Sequence, residues 1–158
     1  MHTLPSTIFA ALCAVFMLAG CSGSQEPTNR NDLDHAFQAE YGFTPPPSIS
    51  VLRCKIVTVG DTWGKWMMFS NDDSIVQRII SEGFTNANPD ALRNPWSESW
   101  SLDLTQSNPN APSWWRSPSN NRARIYYKLG NPRDFAGFMY LWIDDNSKIV
   151  YARSAAWH

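Results

Sequence analysis

The chain has 158 residues, with 13 Lys and Arg against 14 Asp and Glu and a formal net charge of −1. That balance leaves no basic excess to neutralise phosphates and argues against a nucleic acid as partner. Hydrophobic residues make up 43% of the sequence, enough for a buried core, and the length suits about one domain.

The first feature in chain order is an uninterrupted apolar run, Ile8 to Leu18, that ends in Leu18-Ala19-Gly20-Cys21. Eleven apolar residues are too few for a membrane-spanning helix, which needs roughly 20. They match the apolar core of a signal peptide, followed by small residues where a peptidase cuts. Leu18-Ala19-Gly20-Cys21 resembles the lipobox of bacterial lipoproteins. The resemblance implies cleavage by signal peptidase II between Gly20 and Cys21, diacylglycerol on the Cys21 thiol, and a further fatty acid such as palmitate on the new amino group in Gram-negative species. Residues 1–20 are then a signal peptide, and Cys21 is the site of lipid attachment. Two acyl chains or more hold a protein on a bilayer stably, whereas one is marginal. Ser22 follows the cysteine where an Asp tends to retain lipoproteins at the inner membrane, so the implied address is the outer membrane, facing the periplasm. The segment before the apolar run departs from the pattern, because Met1 to Thr7 contains no Lys or Arg.

All the Lys, Arg, Asp and Glu residues lie after Cys21, so removal of the signal leaves the net charge unchanged. Residues 21–31 read as the lipidated N-terminus and a flexible tether, Ser22-Gly23-Ser24-Gln25-Glu26-Pro27-Thr28-Asn29-Arg30. Such a tether has an end-to-end distance of roughly 15–20 Å. Residues 32–158 read as a single globular α+β domain. Asn31 or Asp32 can cap a short helix that carries Leu33, Phe37 and Tyr41 on one face and stops at Gly42. Pro45-Pro46-Pro47 is a stiff connector.

From Ile49 the apolar period changes to two. Leu52, Cys54, Ile56 and Thr58 share one face of a strand that runs to Val59, with Arg53 and Lys55 opposite. After the Gly60-Asp61 turn, Thr62 to Phe69 is a second strand, with large groups on both faces, that closes a hairpin and lies centrally. Ser70 or Asn71 then caps an amphipathic helix over 72–82, with Ile75, Val76, Ile79 and Ile80 as its apolar stripe and Gly83 as its end. Cys54 is the thiol left after lipidation and loss of Cys13, and its apolar strand neighbours make it an inert core group rather than a nucleophile.

Residues 85–121 form a long irregular crossover punctuated by Asn88-Pro89, Asn94-Pro95, Asn108-Pro109, Ala111-Pro112 and Ser117-Pro118. It holds four of the eight tryptophans, Trp96, Trp100, Trp114 and Trp115, a content unlike that of chains that stay unfolded. Trp96 and Trp100 are read as anchors to the sheet, and Ser99 to Leu104 as a short strand. Strands follow over Ala123–Leu129, Phe138–Ile143 and Lys148–Arg153, the last two joined by the turn Asp144-Asp145-Asn146-Ser147. That turn lacks the ligand spacing of a calcium loop, which ends here at Lys148. The predicted fold is a mostly antiparallel sheet of about five strands with one amphipathic helix packed on it.

No catalytic, cofactor-binding or metal-ligating motif is evident. The candidate binding residues are Trp114, Trp115 and Arg116, two indoles and a guanidinium on a proline-bracketed loop. Trp and Arg are enriched at the energetic centres of interfaces, and indole faces also stack on sugars. On extended chain, neighbours point opposite ways, so one indole is expected buried and the other at least partly exposed. Arg116, Arg122, Arg124, Lys128 and Arg133 make a run free of acidic residues, either a solvated face or an anion-binding patch. The functional reading is an envelope lipoprotein that binds an envelope protein or glycan through this loop. A periplasmic immunity or inhibitor protein is an alternative, as is a glycan hydrolase using carboxylates such as Glu98 and Asp103, or Asp61.

Overall fold

The period-two stretches form strands and the period-3.6 stretches form helices, for the reasons their sequences suggest. The structure is a computed structural model that describes residues 22–86, 110–116, 123–130 and 136–157. Among the described residues there are seven strands: β1 (Gly23–Gln25), β2 (Leu52–Val59), β3 (Thr62–Ser70), β4 (Thr85–Asn86), β5 (Ala123–Leu129), β6 (Ala136–Asp144) and β7 (Ile149–Trp157). Helix α1 spans Arg30–Tyr41 and α2 spans Asp73–Ser81. The fold is thus α+β and mostly sheet, but with seven strands among the described residues rather than about five, and with both expected helices, rather than the second alone, packed on the sheet.

All strands pair antiparallel in one sheet of order β1-β2-β3-β7-β6-β5-β4. The C-terminal strand therefore lies at the centre, against β3, in a nine-residue register from Thr62↔Trp157 to Ser70↔Ile149. The N-terminal strand and β4 are the two edges. β1 lies inside the stretch expected to be a flexible tether, and its exposed side chains leave only backbone pairing to hold it on β2. Its register, Gly23↔Thr58 to Gln25↔Ile56, brings the chain onto the sheet one residue after Ser22.

Local chemistry sets the helix ends. Asn29 caps α1, accepting from the Asp32 amide at 2.9 Å, so the helix begins before the residues expected to cap it. Gly42 ends it in the left-handed region, φ 76°, where a side chain is disfavoured. Asp72 caps α2 by accepting from the amides of Ser74 and Ile75. The Ser74 hydroxyl, first among several donors, holds the Asp72 carboxyl below its ordinary range.

Both helices cover one face of the sheet. Leu33 and Phe37 of α1 and Ile75, Val76 and Ile79 of α2 pack against Leu52, Cys54, Met67, Phe69, Leu141, Ile143, Val150 and Ala152. Cys54 is fully buried there and free, and burial pushes its thiol up to about 11. Phe37 sits edge-on to both Phe43 and Phe69, at centroid distances of 5.5 and 5.4 Å.

One charged pair interrupts this apolar layer. The Lys65 ammonium of β3 donates to the Glu40 carboxylate of α1, with side-chain exposures of 10% and 5%. A desolvated pair of this kind fixes the helix on the sheet more than it stabilises it, because each ion lost hydration to reach its partner. Lys65→Met is predicted to cost about 3–5 kcal/mol by leaving the Glu40 carboxylate buried alone. The double variant Lys65→Met/Glu40→Leu should recover most of that loss in urea denaturation. Equal losses in the single and double variants would show that the pair is not coupled.

Candidate binding surface

The face opposite the helices is built from aromatic residues. Alternation along β5, β6 and β7 places Ile125 and Tyr127, Phe138, Tyr140 and Trp142, and Tyr151 and Arg153 on this side. Trp142, fully buried, stacks on Tyr140 at 5.7 Å and 25°, and Tyr140 on Tyr127 at 6.3 Å and 28°. Phe138 meets Tyr140 at 5.3 Å and 62°. Burial raises the Tyr140 hydroxyl above its ordinary value, with Tyr127 adding to the effect and Arg153 opposing it.

Arg153 lies between rings, its guanidinium carbon 5.4 Å from the Trp66 centroid and 5.9 Å from that of Phe138. Burial lowers this guanidinium from its ordinary value, against the pull of Tyr140. Arg153 Nε and Trp142 Nε1 are buried with no hydrogen-bond partner. Each such donor costs about 1–3 kcal/mol of desolvation, which the ring contacts around it offset.

The segment 110–116 lies on this aromatic face. It turns rather than extends: the Trp115 amide donates to the Pro112 carbonyl at 2.9 Å, and Pro112 is buried. Trp115 stands edge-on to Trp142 at 5.9 Å and 87°, and to Tyr151 at 5.6 Å and 89°. Trp114 meets Trp115 at 6.5 Å, and its indole N–H donates to Glu26 Oε1 at 2.5 Å. Both indoles are half-buried, so each is partly exposed and neither is the fully buried member expected of the pair. The reason is the turn, which removes the alternation of an extended chain.

Arg116 is exposed. It is close enough to Tyr151 to oppose the upward push that burial, and secondarily Asp144, exert on that phenol. Of the described members of the basic run, Arg124 and Lys128 share the helix side of β5, apart from Arg116. Arg124 projects to the helix side and forms a two-pronged bond with Asp145, 2.9 and 2.8 Å, and Lys128 donates to the Glu82 carbonyl at 2.6 Å. Arg122 and Arg133 lie outside the described residues, as do Cys21, Trp96, Trp100, Glu98, Asp103 and the strand expected over Ser99 to Leu104.

Asp61 is exposed in the β2–β3 turn. In the turn after β6, the Asp144 carboxylate accepts from the amides of Asn146 and Ser147, which ties it to closing the hairpin. Among the described residues no group of three or more His, Cys, Asp or Glu side chains is placed to hold a metal ion.

Glu26 was not singled out in the sequence. It also borders a shallow groove of about 510 Å³ between the N-terminal segment and α1, lined by Gln25, Glu26, Pro27, Asp32, His35, Ala36 and Ile56. No sequence signal links Glu26 to Trp114, which is 88 positions away. Comparison with protein-family models, curated proteins and solved structures returns no match.

The contacts assign different work to the adjacent indoles. Trp115→Ala is predicted to cost about 2–4 kcal/mol, near the lower end for losing a large aromatic side chain, because its ring covers Trp142. Trp114→Ala should cost about 1 kcal/mol, the worth of one hydrogen bond and a partial contact. Chemical denaturation of both variants checks this, and a larger loss at Trp114 would contradict it.

Proposed function

We propose that the chain is a lipid-anchored protein of the bacterial envelope that acts as a binding module through Trp114 and Arg116. The observation that carries the reading is the fixed presentation of these residues. Trp115 pins the segment edge-on to Trp142 and Tyr151, which leaves the half-buried Trp114 and the exposed Arg116 on either side of the anchor. The Trp114 indole, set against Trp115 and bonded to Glu26, loses little further freedom on binding, so more of its contact energy appears as affinity. An indole face beside a guanidinium suits a partner with flat apolar surface and polar or anionic groups, as a glycan or an envelope protein offers. The anchor is the lipid on Cys21, implied by Leu18-Ala19-Gly20-Cys21, and the expected address is the periplasmic side of the outer membrane.

Two comparisons test this reading. Cys21→Ala should abolish incorporation of labelled palmitate and leave unprocessed or soluble protein; label retained by the variant would refute the anchor. Trp114→Ala/Arg116→Ala, checked by circular dichroism for a native fold and a cooperative melt, should lose the partners or glycans that wild type captures from envelope extract. A folded variant that keeps them all would refute the binding role.

A further inference from the structure

The geometry points to one end of the sheet, the end bearing the β2–β3 turn, as a surface that rests on the lipid bilayer, with the opposite end directed away from it. The inference rests on the lipid-anchor reading of Cys21 and adds an orientation to it. Only Ser22 separates Cys21 from Gly23, the first residue of β1. Two residues span at most about 7 Å, so a lipidated Cys21 leaves no slack by which the domain could lift off the headgroups.

The strand direction decides which end comes down. β1 runs from Gly23, opposite Thr58, to Gln25, opposite Ile56. Followed backwards toward Cys21, the chain heads for Val59 and the Gly60-Asp61 turn. The same end collects the start of β3, the last residue of β7 and the start of β6, through Thr62↔Trp157 and Ala136↔Trp157. Gly130, just past β5, closes onto it by donating to the Gly137 carbonyl at 3.0 Å.

The side chains at this end suit an interface with lipid. Among the described residues the exposed large hydrophobic side chains are Val59, at 58%, and Leu129, at 54%. Both lie toward this end, Val59 opposite Thr62 and Leu129 opposite Phe138. Trp63, half-buried, occupies the next rung, and Trp is favoured at the headgroup level. Asp61 is a carboxylate at this turn. The other end carries more: Asp72 and Asp73 at the start of α2 and Asp144 and Asp145 at the β6–β7 turn, an acidic excess that remains after Arg124, paired with Asp145, and Lys148 are set against it. Anionic headgroups repel such a cluster. A nine-residue strand sets the two ends about 30 Å apart, more than the reach of a quencher carried by lipid chains.

The test uses the mature lipidated chain, isolated from membranes and reconstituted in phosphatidylethanolamine–phosphatidylglycerol vesicles. Mass spectrometry first establishes the acyl groups on Cys21. An environment-sensitive thiol probe is placed in Asp61→Cys or in Asn146→Cys, both exposed turn positions, with unlabelled wild type as the blank because Cys54 is buried. Circular dichroism confirms that each labelled variant is folded. Lipids carrying a nitroxide quencher should dim the residue-61 probe and leave the residue-146 probe unchanged. Acylated protein showing equal quenching at both sites, quenching at neither, or quenching at residue 146 alone overturns the orientation while leaving the anchor intact. Absence of acyl mass on Cys21 overturns the anchor reading, and the orientation with it.

Discussion

The pairing of β3 with β7 is the interaction on which the rest depends. It joins the strands made early in the chain, β1 to β3, to those made late, β4 to β7, along nine residue pairs. Without it the N-terminal hairpin would expose Met67 and Trp66 on opposite faces of an open edge, and Val150, Ala152 and Arg153 would lie on another. With it these residues are buried or half-buried at the centre of the sheet. Because β7 is the last strand, the pairing spans about 90 residues of chain, and its closure entropy must be offset by contacts that form together.

The aromatic face follows from the same seam. Trp66 of β3 and Arg153 of β7 are direct partners in the register, and the guanidinium stacks where the two halves meet. Trp115 rests on β6 and β7 through Trp142 and Tyr151, while Trp114 bonds to Glu26, just past β1. One short segment thus touches both halves of the sheet. The buried Trp142 and Arg153 donors lack hydrogen-bond partners, so ring contacts hold this face; on the helix face Lys65 and Glu40 satisfy each other, while the buried Tyr41 hydroxyl has no partner.

What the sequence disclosed depended on whether a residue's environment was local. The alternation of Leu52, Cys54 and Ile56, and the stripe of Ile75 and Ile79, report burial directly, so β2, β3 and α2 were legible nearly to their ends. β1 was not, because Gly23, Ser24 and Gln25 bury nothing and are held by backbone pairing alone. β4, two exposed residues beside β5, escaped for the same reason. The order of the sheet was hidden as well: nothing in the pattern of β7 says that it pairs with β3 rather than continuing an outer meander. At the binding segment, residue type indicated the right stretch. The division of labour between Trp114 and Trp115 comes from a turn at Pro112 and a carboxylate, Glu26, 88 positions earlier in the chain.

Through β3 and β7 the two halves of the sheet form one cooperative unit. Native-state amide hydrogen exchange tests it most directly, since it resolves the opening free energy of each strand. The amides of Trp66 to Phe69 and Val150 to Arg153 should be the slowest to exchange, with one shared opening free energy equal to that of global unfolding. Separate values for the two strands, with β1 to β3 surviving after β5 to β7 have opened, would contradict the account.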